Sequence, residues 1–386
     1  MIIQTLLFVI LCVWIHRVFL MARFRRLNPP LEPLGASALG IPPPKVSVII
    51  PARNEEKNIA NCLSHFFKTD YPNFEILVVD DRSEDRTPHL VENFRRLSPV
   101  PFRVITLGKL PQGWTGKNYA MQAGSRIASG EWLLFTDADT THSPQSIATA
   151  VREALAKKID FLTLAPETEA FSFWEKTIQP LAVGSLAIWF DPQKNNDPKS
   201  DLVLANGQFI LVRKEAYRAV GGNEVVKNKV VEDVELARKM RQAGYRVQML
   251  NGTRLYRTRM YTSLKEIQTG WTRIFAHLFG KNIFRLIEKI AMFLFFSILP
   301  FGVLTAEIFW ALNHSAYFSK NIFFLSLSVS GLIITVRFIG NRLLRSDPWY
   351  AFLHPLGSAV MVWILLVSAT RVIWRRPSVW KGEKYT

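Results

Sequence analysis

The chain has 386 residues, 49% of them hydrophobic, and a formal net charge of +17. Its length suits one large catalytic domain with accessories, or two domains, and two cysteines, Cys12 and Cys62, imply neither a disulfide framework nor a zinc site. The basic excess does not point to nucleic acid: its clusters at 17–26, 265–289 and 371–384 flank apolar runs, where anionic headgroups attract them, and the soluble part lacks a nucleic-acid-binding motif.

Residues 1–22 read as a transmembrane anchor, uncharged from Met1 to Ile15 and followed by His16, Arg17, Arg23, Arg25 and Arg26. Basic residues after the apolar run, and no small-residue cleavage site, predict an uncleaved helix whose C-terminal end faces the cytoplasm. Residues 23–44 are rich in proline (Pro29, Pro30, Pro33, Pro42, Pro43, Pro44), which predicts a semi-rigid linker. From 45 to 262, β-rich runs at 46–50, 74–79, 102–106 and 132–136 alternate with helical patterns at 55–67, 84–94 and 117–127. This alternation predicts an α/β fold, a parallel sheet covered by helices, with ligands beyond the carboxyl ends of its strands.

Residues 171–190, aromatic-rich but interrupted by Pro180, read as a membrane-surface or re-entrant segment, and 263–286 as an amphipathic interfacial helix. Within 287–373, the runs 290–312, 322–340 and 352–373 each approach the ~20 residues that cross hydrocarbon. Three crossings would put the basic tail, 374–386, outside, against the preference of positive tails for the cytoplasm. Two crossings with one interfacial run, marked by Arg337 or Pro300, is the alternative.

The chemistry-bearing residues fall at the predicted strand ends. Asp137 and Asp139, one residue apart after an apolar strand, suit Mg²⁺ or Mn²⁺, which take one or two carboxylates plus phosphate oxygens. Asp80 and Asp81 end another strand, suited to base or ribose hydroxyls or, with Ser83, to capping the next helix. After the first strand, Arg53 suits a phosphate and Glu55 a nucleoside, with Asn54 as a helix cap. Gly113-Trp114-Thr115-Gly116-Lys117-Asn118 is a glycine-bearing loop whose backbone and Lys117 suit an anion, without P-loop spacing. Glu232 and Asp233 open a helix, where the dipole alone favours carboxylates, or supply a general base for an acceptor hydroxyl. His65, His89, His142 and His277 are isolated and carry no catalytic expectation.

Together these residues closely resemble glycosyltransferase family 2, the inverting transferases of GT-A fold. The resemblance rests on Ser47 to Glu55 (Ser-Val-Ile-Ile-Pro-Ala-Arg-Asn-Glu), Val79-Asp80-Asp81-Arg82-Ser83 with Asp85 and Thr87, Asp137-Ala138-Asp139, Asn206-Gly207-Gln208-Phe209 with Arg213, and Glu232-Asp233, covering about residues 45–280. The loop at 113–118 and the ending Trp380-Lys381-Gly382-Glu383-Lys384-Tyr385 are similar to the membrane-bound lipid glycosyltransferases, such as ceramide glucosyltransferases and the hopene-associated bacterial enzymes. The resemblance implies a GT-A, Rossmann-like mixed sheet plus transmembrane helices. It implies that Ala52, Glu55 and Asp81 hold the nucleoside, that Asp137 contacts the nucleotide and Asp139 the metal, and that Asp233 is the base. Gly207, Gln208 and Glu232 fall on the acceptor or pyrophosphate side. A Gln-x-x-Arg-Trp element is expected near the membrane; Gln268 is in place, Trp271 stands where Arg is expected, and Arg273 follows two residues later.

The reading that follows is inverting transfer of a hexose, from a nucleotide-diphosphate sugar such as a UDP-sugar, to a hydroxyl of a membrane lipid. The expected setting is an integral membrane enzyme with a cytoplasmic catalytic domain, in a bacterial inner membrane. The alternatives are a processive polysaccharide synthase of the same family, a sugar nucleotidyltransferase, against which the glycine-free segment 51–55 argues, and a non-catalytic membrane binding protein.

Overall fold

The computed structural model describes residues 1–280, 282–374, 378–380 and 383–385. In chain order the strands are β1 Val46–Ala52, β2 Phe74–Asp80, β3 Phe102–Thr106, β4 Trp132–Thr136, β5 Thr140–His142, β6 Phe161–Ala165, β7 Glu167–Thr168, β8 Phe209–Arg213, β9 Val247–Asn251 and β10 Tyr256–Thr258. Seven form one sheet in the order β3-β2-β1-β4-β8-β6-β9. The first four are parallel, as the β–α alternation predicts, while β8 runs antiparallel to both β4 and β6, making the sheet mixed. A small sheet, β5-β10-β7, sits beyond the carboxyl edge of the large one.

The sheet is buried on both faces, so its strands read as continuous apolar runs. On one face Val48, Ile50, Ile76 and Val78 meet the helices α2 Ile59–Phe66, α3 Thr87–Leu97 and α5 Ser146–Ala156. On the other, Ile49, Leu77, Val79, Leu133 and Phe135 meet α4 Gly116–Ile127, α8 Lys214–Ala219 and α9 Glu232–Gln242. Two expected helices begin later than their patterns predict, α2 at Ile59 and α3 at Thr87, because the segments before them are turns built on side-chain bonds. Asn54 is therefore not a helix cap: its φ is +53°, its N–H donates to Ser83 Oγ and its Oδ1 accepts from Glu84 N. Asp80 and Asp81 do not cap α3 either, whose N-cap position is Arg86.

The proline-rich linker is docked on the domain. Leu31 N donates to the carbonyl of Asn251 and Leu34 N to Thr149 Oγ1, with a 3₁₀ turn over Ala36–Leu39. The anchor helix α1 Ile2–Leu27 extends beyond residue 22 and reaches the domain, where Arg23 donates to Gln193 of α7 Pro192–Asn196.

Among the described residues, four helices are long and apolar enough to cross a membrane: α1, Ile283–Leu312, Lys320–Leu343 and Pro348–Ile373. The second is α11 Ile283–Phe293 and α12 Leu299–Leu312 joined by a π turn at Leu294–Ile298. Pro300 has no N–H for the carbonyl four residues back. That carbonyl, of Phe296, accepts instead from Trp14 Nε1 at 2.7 Å. α13 Lys320–Leu343 packs with α1 and α12, and α14 His354–Ile373 touches this group only at its head, where His354 meets Trp14. It shares an apolar cluster with α6 Phe173–Trp189, α10 Leu264–Phe279 and α11. α6 keeps Pro180 within a continuous helix, and α10 forms where amphipathicity predicts it. Of the expected basic tail, Arg375, Arg376 and Lys381 lie outside the described residues, as does Gly382 of the Trp-Lys-Gly ending; strands Ser378–Trp380 and Glu383–Tyr385 pair antiparallel.

Glu75 pins the end of the sheet opposite the strand tips. Its carboxylate accepts from Ser47 Oγ at 2.6 Å, Ser129 N and Oγ at 2.7 Å each, and Arg103 Nη2 at 2.7 Å. Burial raises its pKa, but these four donors outweigh it and hold the group at about 2. Its stabilising effect is therefore complete above the unfolded carboxylate range and is lost as pH falls toward 2. Glu75→Gln is expected to destabilise the domain by about 2 kcal/mol. Thermal unfolding checks this: the gap to wild type should be largest near neutrality and close as pH drops through the acid range.

Candidate active site

The site lies at the carboxyl edge of the sheet, where β4 and the strand beside it, β8, leave their tips together. After Thr136 the chain turns through Asp137, Ala138 and Asp139 into β5. The turn is fixed from behind: Thr136 Oγ1 donates to the carbonyl of Gln208 at 2.9 Å, and Thr140 Oγ1 to the carbonyl of Asp137 at 2.7 Å. His142 is 1% exposed, lies against Thr136 and Thr140, and stacks on Tyr256. Burial pushes its pKa down to about 3, so it is a neutral prop. Asp137 and Asp139 are both partly exposed.

Lys117 joins this turn to the start of α9. Its ammonium lies 2.8 Å from Asp137 Oδ1 and 3.0 Å from Glu232 Oε1. Burial acts to lower its pKa, but Asp137, Glu232 and Asp233 raise it by more, so the lysine stays charged. The loop before it is held rigidly. Thr115 Oγ1 caps α4, and the buried Asn118 amide donates to the carbonyls of Val226, Lys227 and Lys229. Asn118 Oδ1 accepts from Asn223.

Asp233, at the start of α9, accepts from Gly207 N at 2.7 Å and Val234 N at 2.8 Å. Burial first, and the adjacent Glu232 carboxylate second, push its pKa up to about 7. A carboxylate near that value is an effective proton acceptor at neutral pH. Gly207 has no room for a side chain: a Cβ there would lie 3.1 Å from Lys117 Nζ and 3.3 Å from both Asp233 Oδ2 and Glu232 Oε1. Gln208, 7% exposed, donates to Thr258 Oγ1 of β10 at 2.9 Å.

Beside this cluster, Ala52 ends β1 with its carbonyl accepting from Asp81 N at 2.8 Å. Asp81 is buried, with Arg82 Nε at 2.8 Å and Arg53 Nη1 at 4.0 Å. Glu55 N donates to Thr87 Oγ1, and its Oε2 accepts from Asn58 Nδ2. A Cβ at Gly116 would collide with the Asp81 carboxylate, so the α4 loop and the β2 tip touch.

The expected membrane-side element divides. Trp271 is 2% exposed, packs in the cluster of α6, α10 and α14, and donates from Nε1 to Gln179 Oε1 at 2.8 Å. It is a packing residue, on the same helix face as Ile267, Phe275 and Phe279. Gln268, one residue after Ile267, is partly exposed. Arg273 is the residue brought toward the carboxylates: it hydrogen-bonds Tyr261, which lies within Coulombic reach of Asp139 and Asp137. Tyr261 was not among the sequence candidates. Its ring rests where a Cβ on Gly270 would be, an adjacency across nine residues of loop and helix that no local pattern reveals.

Residues 47–221 match the family described as Glycosyl transferase family 2. This is a family 2 glycosyltransferase domain. Curated relatives include β-monoglucosyldiacylglycerol synthases from Trichormus variabilis and a Nostoc species, each 29% identical over 198 residues, 50% of this chain and 40% of theirs. The chain thus spans about two fifths of the length of those relatives. The 4,4'-diaponeurosporenoate glycosyltransferase of Staphylococcus aureus is 26% identical over 273 residues, 69% of this chain and 70% of that one. Among solved structures, a mannosyltransferase from Pyrobaculum calidifontis in complex with GDP-Man and Mn²⁺ shares the fold, with TM-score 0.54 and 17% identity. The match covers 97% of this chain and 99% of that one. The fold is therefore GT-A, and this glycosyltransferase domain carries Asp137, Asp139, Lys117 and the pair Glu232–Asp233 in one cluster.

Because Lys117 holds the Asp233 pKa down, Lys117→Met should raise it further. Activity that needs ionised Asp233 should then lose its acid limb at higher pH, by at least about one unit. A pH–rate profile of the variant beside wild type checks this.

Proposed function

We propose that this glycosyltransferase moves a hexose from a nucleotide-diphosphate sugar, a UDP-sugar in the simplest case, to a hydroxyl of a membrane lipid with inversion. The observation that carries the reading is the Arg273–Tyr261 contact. Arg273 belongs to a helix packed on apolar, membrane-type helices, so the cleft of Asp137 and Asp139 opens beside the layer in which a lipid acceptor lies.

In this reading Ala52, Glu55 and Asp81 take the nucleoside, while Lys117, Arg53 and Arg273 face phosphate charge. The acceptor hydroxyl gives its proton to Asp233, its oxygen bonds to the anomeric carbon, and the bond from that carbon to the diphosphate breaks. The bonding electrons leave with the nucleoside diphosphate. A divalent cation, Mg²⁺ or Mn²⁺, when bound would neutralise the departing diphosphate, held by Asp139 with Asp137. The donor set fits such an ion: Asp137 and Asp139 are two partly exposed carboxylates one residue apart, and these ions take few carboxylates and complete their shell with phosphate and water.

Membrane-purified protein offered several nucleotide sugars, Mn²⁺ and a total lipid extract should form a glycolipid. Asp233→Asn should reduce turnover about 10²–10⁴-fold while leaving the fold intact. The product's anomeric proton should report β from an α-donor; retention, polymer, or a nucleotide sugar as product would each overturn the reading.

For the membrane part we propose three crossings, α1, the continuous helix α11–α12, and α13, with α14 lying along the interface. Both ends of α14 are tied to the catalytic side. Near its head, Asp347 lies 3.7 Å from Lys176 and Arg345 2.9 Å from Glu167. Near its end, Ser368 Oγ donates to Thr272 O, and Val372 lies beside Gly280. Such a course returns the basic tail to the cytoplasm with the catalytic domain, in keeping with the orienting effect of positive charge. Single cysteines at Thr386 and Ser315, in a chain with Cys12 and Cys62 replaced, should react with an impermeant maleimide from opposite faces. Labelling of both from one face would exclude this topology.

A further inference from the structure

A cluster of two arginines and a histidine, away from the Asp137–Lys117 site, is built from both ends of the chain. Arg17 on α1, Arg337 on α13 and His354 at the head of α14 converge, with His354 within Coulombic reach of both arginines. The Arg17 guanidinium lies 4.7 Å over the Trp14 ring and 5.7 Å over Phe296, and the His354 ring sits 6.0 Å from both Trp14 and Phe301. Arg337 is 7% exposed and His354 3%. Arg337 Nη2 donates to the Thr177 carbonyl at 3.0 Å, but its Nε and both ring nitrogens of His354 have no hydrogen-bond partner in the protein. No carboxylate faces either guanidinium among the described residues.

Guanidinium groups withdrawn from water without an opposing charge are costly. Evolution of a stable chain therefore calls for an anion from the surroundings. The depth says which kind. Arg17 closes the uncharged run of α1 and Arg337 that of α13, so both stand where lipid phosphates lie. Around them the helix surfaces are apolar and exposed, Phe19 and Ile339 among them. A free anion would have to leave water to enter such surroundings; a phospholipid brings its phosphate to that level with acyl chains that cover those surfaces. Phosphate oxygens also match the planar guanidinium fork, and basic pockets between helices at the cytoplasmic face hold anionic headgroups.

We propose that Arg17, Arg337 and His354 form a binding site for the phosphate of an anionic phospholipid seated between α1, α13 and α14. This site rests on the membrane reading of α1 and α13 and is independent of the catalytic reading. The test is native mass spectrometry of the full chain purified from membranes in mild detergent, with phosphatidylglycerol supplied as the probe. Wild type should carry a phospholipid-mass adduct that survives activation stripping loosely bound lipid. Arg17→Gln and Arg337→Gln should each lower its occupancy about tenfold, with Arg17→Lys retaining most of it. If Arg337→Gln does not fold, Arg17, which is partly exposed, carries the comparison alone. Equal occupancy in wild type and Arg17→Gln, absence of the adduct from wild type, or its displacement by inorganic phosphate would overturn the proposal.

Discussion

The candidate site depends on one largely buried ammonium. Lys117 stands between Asp137 at the β4 tip and Glu232 at the start of α9, with Asp233 next to it. Three carboxylates gathered in a half-desolvated cleft repel one another, and removing a central cation would leave that repulsion uncompensated. The surroundings are arranged to fix its position: Asn118 ties its loop to three carbonyls of the 226–229 segment, and Gly207 leaves the space a side chain would fill. The same cation sets the chemistry, because its field opposes the burial and the Glu232 charge that raise Asp233. Position and proton affinity are thus two consequences of one contact.

A second set of contacts joins the sheet domain to the apolar helices α6, α10 and α14. Arg259, just past β10, forms a two-pronged pair with Glu175 at the cap of α6. Trp271 bonds Gln179 across the α10–α6 contact, and Gly357 lets α14 approach Thr177 and Leu181 of α6. Paired Arg–carboxylate forks give direction as well as energy, so β10 and the start of α6 are held in a defined orientation. Arg273 and Tyr261 extend that connection to the DxD turn. The strand-tip carboxylates and the apolar helices α6, α10 and α14 thus belong to one packed unit.

Much of the candidate site was legible because strand ends announce themselves. A buried apolar run such as 132–136 that stops at Asp137-Ala138-Asp139 marks both a strand and its tip, and parallel α/β sheets put their ligands there. The same logic located Asp81 and Glu55. Less legible were the turns: Asn54 and Asp85 bond across to one another's segments, which delays α2 and α3 beyond the points their apolar spacing indicates. The division of the Gln-x-x-Arg-Trp region was half legible. Ile267, Trp271, Phe275 and Phe279 recur every four residues and mark a packed face, which already places Trp271 in the core and turns Arg273 away from it.

The sequence by itself determined the α/β alternation, the apolar helices, the acidic strand tips and the family resemblance, since these are written in local periodicity and spacing. Tertiary structure alone decided that β8 enters antiparallel, that Lys117 bridges Asp137 to Glu232, that Tyr261 meets Arg273, and that α14 packs along α6, α10 and α11 while only its head, at His354, reaches α1 and α13. Each of these joins residues far apart in the chain, and long-range pairing depends on which surfaces close on one another. Apolar composition made Pro348–Ile373 long enough to cross a membrane; its contacts at both ends, with Lys176 and Thr272, came only from the tertiary structure.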